Sequence, residues 1–88
     1  MSDTELKSAL ALADLIRDLA HAKEVREKRF AAIVRVVQRR EARGPAKDTM
    51  AQIRRDHKLC RLLVDLEDQS EIIGMTEFVR DLKIKETA

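Results

Sequence analysis

The sequence predicts an all-α fold: an antiparallel hairpin of two long helices, followed by a short third helix. Apolar residues recur every three or four positions from Leu6 to Val37, with no Gly or Pro between them. This spacing is the repeat of an amphipathic helix. Gly44 and Pro45 then stop the helix, and a second stretch of helical periodicity follows them. A tight break between two long helices favours a hairpin.

The first helix is predicted to span residues 3–42. Ser2 with Glu5 three residues later matches a capping box, and Asp3 suits the positive end of the helix dipole. The stretch from Leu6 to Val37 alone would be roughly 45 Å long, more than a compact monomer of this size can bury. Between Lys23 and Arg29 only one residue is apolar. There the stems of long basic side chains are expected to cover the seam, or a charged notch is left for a partner.

The second helix is predicted over residues 48–73, capped by Asp48 or Thr49. Gly74 is expected to end it, and a third helix over 77–84 would follow, with Phe78, Leu82 and Ile84 facing inward. The second helix has two apolar stripes, which predicts two packing neighbours. One stripe contains Met50, Ile53, His57, Cys60 and Val64; the other contains Leu59, Leu62 or Leu63, Leu66 and Ile73.

A single domain over residues 1–88 has little material for a core. Only Phe30 and Phe78 are aromatic, and 39% of the residues are charged. Packing against a second copy is a common remedy in small domains. We therefore expect a homodimer resembling a four-helix bundle. The residues predicted to form the intrachain and dimer core are Leu12, Leu15, Leu19, Leu59, Leu63, Leu66 and Ile73.

The net charge of +2 conceals a polarised chain. Residues 23–47 contain nine basic and three acidic residues, a net charge of +6, so the remainder carries −4. A hairpin about Gly44 and Pro45 brings residue i level with about residue 90 − i, which places the acidic stretch 65–68 beside 23–25. Basic residues then collect around the turn as a predicted surface for a protein partner or nucleic acid: Arg35, Arg39, Arg40, Arg43, Lys47, Arg54 and Arg55.

The sequence contains no pattern typical of catalysis, of a cofactor or of a metal site. Its single cysteine, Cys60, and two histidines make neither a metal set nor a nucleophilic triad, and two glycines make no phosphate loop. No segment has the length of a membrane span, and the acidic N-terminus differs from a signal peptide. The expected location is cytoplasmic.

Three functional interpretations remain from the sequence. The first is a small non-enzymatic regulator or adaptor that binds another protein by helix packing, as anti-activators, chaperones and inhibitors do. The second is a regulator that binds nucleic acid through the basic turn. The third, on architecture alone, is a small all-α enzyme of the chorismate mutase type, with Arg26 and Arg29 as candidate ligands of a dicarboxylate. The spaced Arg, Lys and Glu or Gln pattern of that family is not found here.

Overall fold

The chain folds into one long antiparallel hairpin. The structure, a computed structural model, describes residues 2–87 and consists of helices α1 (Asp3–Arg43) and α2 (Thr49–Thr87). Its principal extents are 67 × 17 × 15 Å. A helix of 41 residues is about 61 Å long, so the molecule is as long as one helix and two helices wide. The predicted helical hairpin is confirmed.

Capping residues define both ends of α1 and the start of α2. The Ser2 hydroxyl accepts a hydrogen bond from the Glu5 N–H at 3.2 Å, which caps α1. Gly44 ends α1 with a φ of +73°, a conformation that favours glycine. The Asp48 carboxylate accepts from the Ala51 N–H at 2.8 Å, so Asp48, one of the two candidates, is the cap of α2.

The two helices meet along a regular heptad seam. In each helix a series of buried and half-buried positions is spaced by three and four residues, the spacing of an antiparallel coiled coil. The best-buried cluster lies well away from the turn and joins Leu19 and Ala22 to Ile73. The seam of α1 contains Leu12, Leu15, Leu19, Ala22, Arg26, Arg29, Ile33, Val36 and Arg40. The seam of α2 contains Arg55, Leu59, Leu62, Leu66, Gln69, Ile73, Thr76, Arg80 and Lys83.

Helix α1 continues without a break through residues 23–29, the stretch in which only one residue is apolar. Arg26 and Arg29 occupy seam positions there and are half-buried. The Arg29 guanidinium donates a hydrogen bond across the hairpin to the backbone carbonyl of Asp65 at 2.8 Å. The stem of the Arg29 side chain therefore stays at the seam, while its charged guanidinium leaves the apolar interior and forms this hydrogen bond.

Polar contacts between the helices define the register. The Gln69 amide donates to the Ala22 carbonyl at 3.0 Å, within one residue of the register expected from the sequence. Nearer the turn, Arg40 contacts Asp56 at 2.7 Å, six residues beyond the expected position 50. Two helices with the same rise per residue keep one register along a hairpin, so this difference reflects the reach of the arginine side chain along the helix axis.

The predicted third helix over 77–84 is not a separate element. Helix α2 continues through Gly74 to Thr87. Gly74 does not have a positive φ, and a glycine within a helix costs only about 1 kcal/mol relative to alanine. The heptad seam continues on both sides of it through Ile73 and Thr76, so packing against α1 outweighs this cost.

The position of Leu63 also differs from the predicted core. Leu62 faces α1 and is half-buried, whereas Leu63, one residue or 100° further around the helix, is 48% exposed. The three residues predicted to face inward from the third helix are also exposed: Phe78, Leu82 and Ile84. Of the other predicted core residues, Leu19 and Ile73 are buried, and the half-buried ones are Leu12, Leu15, Leu59 and Leu66.

Candidate interaction surfaces

A cleft lined by basic side chains lies beside the turn, on one side of the hairpin. It has a volume of about 90 Å³, enough for several water molecules or one group the size of a phosphate. Both helices contribute to it because the hairpin brings the end of α1 against the start of α2. We call it the basic cleft, and its lining residues are Val36, Arg39, Arg40, Arg43, Arg55 and Lys58.

Two of these arginines are already engaged by groups of the hairpin. Arg40 forms an ion pair with Asp56 at 2.7 Å, and the hydrogen bond from Arg40 is the main reason why the pKa of Asp56 lies below its ordinary value. The Arg55 guanidinium donates to the Gly44 carbonyl at 3.0 Å, which fixes the turn. Arg39, Arg43 and Lys58 are exposed. They are therefore the residues best placed to bind an anion from outside.

The positive surface extends from the basic cleft along α2. A neighbouring groove shares Lys58 and is lined by Arg54, His57, Arg61, Leu62 and Asp65. Lys58 and Arg61 were missed by the sequence interpretation, which stopped at Arg55. The heptad repeat could have predicted this extension, because Arg61 follows Arg54 by seven residues and so lies on the same side of the helix.

The structure does not bring all seven predicted basic residues together. Arg39, Arg40, Arg43 and Arg55 line the basic cleft, and Arg54 lines the neighbouring groove. Arg35 and Lys47 are exposed near the turn but line neither of these two depressions. The predicted basic surface is thus divided into a cleft, a groove and two outlying side chains.

A second surface is apolar and runs along α1, beside the seam that faces α2. Its residues recur in steps of three and four on either side of an interruption between Ala20 and Phe30, so they form a second stripe on the same helix. All of them are exposed, Phe30 to 58%. We call this the α1 stripe, and its apolar members are Leu6, Ala9, Ala13, Ile16, Ala20, Phe30, Val34 and Val37.

A third surface is apolar and lies on the C-terminal half of α2. Met75 and Phe78 are among the most exposed large apolar side chains, at 71% and 64%. Acidic residues, Glu71 and Asp81 among them, lie close by on the same helix. We call this surface the α2 stripe, which consists of Ile72, Met75, Phe78, Val79 and Leu82.

The charged notch in the middle of the hairpin does not gather its two arginines. Arg26 lines an open cleft with Glu27, Phe30, Leu66 and Ser70. Arg29 instead donates to the backbone of Asp65. The pair that could have held a dicarboxylate is therefore directed to two different sets of neighbours.

Comparison of the chain with protein-family models, with curated proteins and with solved structures found no match. Within residues 2–87 neither helix has a segment long and apolar enough to cross a membrane. In the same part of the chain, no three His, Cys, Asp or Glu side chains are placed to hold a metal ion. The three surfaces are therefore the features of the hairpin that indicate a function.

Proposed function

We propose that this protein is a non-enzymatic regulator or adaptor that acts by packing its helices against other helices, in the manner of anti-activators, chaperones or inhibitors. One observation carries the proposal: the hairpin uses one stripe of each helix for its own seam and leaves a further apolar stripe on each helix exposed. Exposed apolar surface of this extent is typical of binding sites. The proposed roles are homodimerisation through the α1 stripe and partner binding through the α2 stripe.

The α2 stripe has the pattern of a helix that docks in a partner's groove or beside a partner's helix. Its residues at 72, 75, 79 and 82 have the spacing of anchor residues in such complexes. Met75 and Phe78 offer adaptable and aromatic contact area, which is common among residues that dominate binding. The acidic neighbours favour a partner whose apolar surface is bordered by basic residues.

Affinity capture from the native cell, followed by mass spectrometry, tests this proposal. The unmodified chain is compared with Met75→Asp/Phe78→Asp, in which only exposed side chains change and circular dichroism should stay helical. The matched control is Arg39→Glu/Arg43→Glu in the basic cleft. A protein held by the unmodified chain and the control but lost from the α2 variant supports the proposal, and the purified pair should then bind in solution. Retention of the same proteins by all three chains would argue against it.

Nucleic-acid binding is the second candidate function, favoured by the lining of the basic cleft. Arg39, Arg43 and Lys58 are exposed there, and Arg54 and Arg61 continue the positive surface along α2. Contacts of this kind neutralise backbone phosphates and make the affinity dependent on salt. Such a surface would bind with little preference for sequence.

The test uses a labelled duplex and a labelled single strand, with fluorescence anisotropy over a series of salt concentrations. Binding that weakens as salt rises, and that is lost in Arg39→Glu/Arg43→Glu, supports this function. Arg40 is left unchanged because it stabilises the hairpin through Asp56. If the unmodified chain binds neither nucleic acid at low salt, this candidate is eliminated.

A further inference from the structure

The α1 stripe is a second complete heptad seam on a helix that already uses one. It includes positions 6, 9, 13, 16, 20, 23, 27, 30, 34 and 37, with gaps of three and four throughout. Eight of these ten positions are apolar and exposed; the two central ones are Lys23, which is half-buried, and Glu27, which is exposed. At 100° per residue, the stripe is centred about 100° around α1 from the seam that faces α2. In a four-helix bundle each helix has its next neighbour in about this direction.

The exposed area of the chain is consistent with one more layer of helices. The surface accessible to solvent is 7085 Å², whereas a folded monomer of 10.1 kDa exposes about 5,300 Å². The excess is thus about 1,800 Å² per chain. Obligate homodimers bury roughly 2,000–5,000 Å² in total, or about 1,000–2,500 Å² per subunit. This excess is spread over the whole rod, the α2 stripe included, and it is of the size that packing against a second copy covers.

We infer that two copies pack α1 against α1 in antiparallel orientation, with residue i of one chain opposite residue 50 − i of the other. This inference rests on the homodimer of the proposed function and specifies its interface. In this register Lys23 faces Glu27 of the second copy, and the twofold axis makes the same pair a second time. The charges that interrupt the stripe become two ion pairs at the centre of the interface.

The two registers displaced by one heptad lack this complementarity. In one of them Lys23 lies opposite Ala20 and Glu27 opposite Ile16; in the other, Lys23 lies opposite Val34 and Glu27 opposite Phe30. Each displaced register sets a charged group against an apolar one, which is unfavourable. Pairing of large with small residues does not separate the registers, because Phe30 meets Ala20 in the inferred one and Ala13 in one of the displaced ones. The two central charged residues therefore select the alignment.

The arrangement places the functional surfaces of the two copies apart. The twofold axis passes near residue 25, so the two turns lie at opposite ends of the assembly, about 57 Å from each other. Each end then presents one basic cleft. The α2 stripe lies on the other side of the hairpin seam from the α1 stripe by heptad position, and it remains exposed in the dimer.

Cysteine cross-linking tests the register. In a Cys60→Ser background, Ala13→Cys/Val37→Cys should form covalent dimers under mild oxidation, because these positions face each other between copies. Within one chain they are about 36 Å apart and cannot be joined. The matched control, Ala13→Cys/Phe30→Cys, is bridged only in the register displaced by one heptad and should remain monomeric on denaturing gels.

Charge exchange provides the second measurement. Glu27→Lys and Lys23→Glu should each weaken dimerisation about tenfold or more, since two ion pairs become two repulsive pairs, and mixing the two variants should restore a dimer. Glu24→Lys is the matched control, because Glu24 is exposed outside the stripe, where it pairs with Lys28 at 3.4 Å.

The results separate the inference from the dimer on which it rests. If light scattering finds a monomer at micromolar concentration, both fail. If the chain is a dimer but the control cysteines cross-link as well as the test pair, or Glu24→Lys weakens the dimer as much as Glu27→Lys, the inferred register alone is overturned.

Discussion

Ile73 is the most completely buried side chain of the hairpin, only 1% exposed, and its neighbour Ile72 is 51% exposed. The two residues have the same chemistry and are adjacent in the sequence. They differ only in direction, because Ile73 lies on the seam against Leu19 and Ala22 while Ile72 belongs to the α2 stripe. The pair therefore separates residues that stabilise the fold from residues available for binding.

Replacing each isoleucine with alanine should change the stability by very different amounts. Ile73→Ala should lower the free energy of unfolding by about 2–4 kcal/mol, because it removes buried methyl groups and leaves a cavity. Ile72→Ala should change it by less than about 0.5 kcal/mol. Urea denaturation at one protein concentration measures both. Equal losses for the two variants would contradict the assignment of the seam.

The ion pair between Arg40 and Asp56 predicts a specific dependence on pH. Because the Arg40 hydrogen bond lowers the pKa of Asp56 in the folded state, the pair contributes stability above the ordinary carboxyl pKa of about 4. That contribution is lost as pH falls through the lowered pKa. The free energy of unfolding should therefore fall more steeply below about pH 4 in the unmodified chain than in Asp56→Asn. Arg40→Gln should make this fall in the free energy of unfolding shallower in the same way. If the pH profiles of both variants match that of the unmodified chain, the role of this pair is contradicted.

At the scale of the helices, the two glycines have different structural roles. Gly44 has a positive φ that ends α1, whereas Gly74 lies within α2 without a positive φ. A Cβ atom added at Gly74 would have nothing within 4 Å. The sequence interpretation treated both as helix stops, because glycine interrupts helical propensity in either place. Gly74 nevertheless stays within α2, because the seam positions on both sides of it pack against α1.

Alanine at these two positions should therefore change stability with opposite signs. Gly74→Ala should raise the free energy of unfolding by about 0.5–1 kcal/mol, by favouring helix and restricting the unfolded chain. Gly44→Ala should lower it by about 1–3 kcal/mol, because alanine is strained at that backbone conformation. Thermal unfolding followed by circular dichroism measures both changes. A loss of stability in Gly74→Ala would indicate a break in α2 at that point.

At the scale of the whole molecule, the hairpin by itself has a thin core. Within residues 2–86, the buried residues are Leu19, Ala22, Ile33, Gln69 and Ile73. A rod of two helices has no third layer to cover the outer stripes. Its stability is consequently expected to depend on association with another copy.

Dilution should reveal this dependence. If a dimer is the stable form, the melting temperature should decrease as the protein concentration is lowered over about a hundredfold range. Glu27→Lys should melt lower than the unmodified chain at the same concentration, while Glu24→Lys should not. A melting temperature that is independent of concentration, together with the mass of a single chain, would show that the hairpin is stable alone.

The sequence by itself determined the helical class, the start of α1 at Ser2 and the position of the turn at Gly44. These follow from local signals, namely periodicity, capping and glycine conformation, that act over a few residues. The approximate register also followed, because an antiparallel hairpin pairs positions by their distance from the turn. The same pairing of positions predicted that arginines collect near the turn.

The tertiary structure decided which stripe of each helix faces inward. Leu62 and Leu63 are equally apolar, and only the fit of α2 against α1 made Leu62 the inward residue. The same fit carried α2 through Gly74, directed Phe78 outward and enlarged the positive surface to include Lys58 and Arg61. The physical reason is that helical periodicity specifies the spacing of residues along a face, whereas contact between two helices selects the face that is buried.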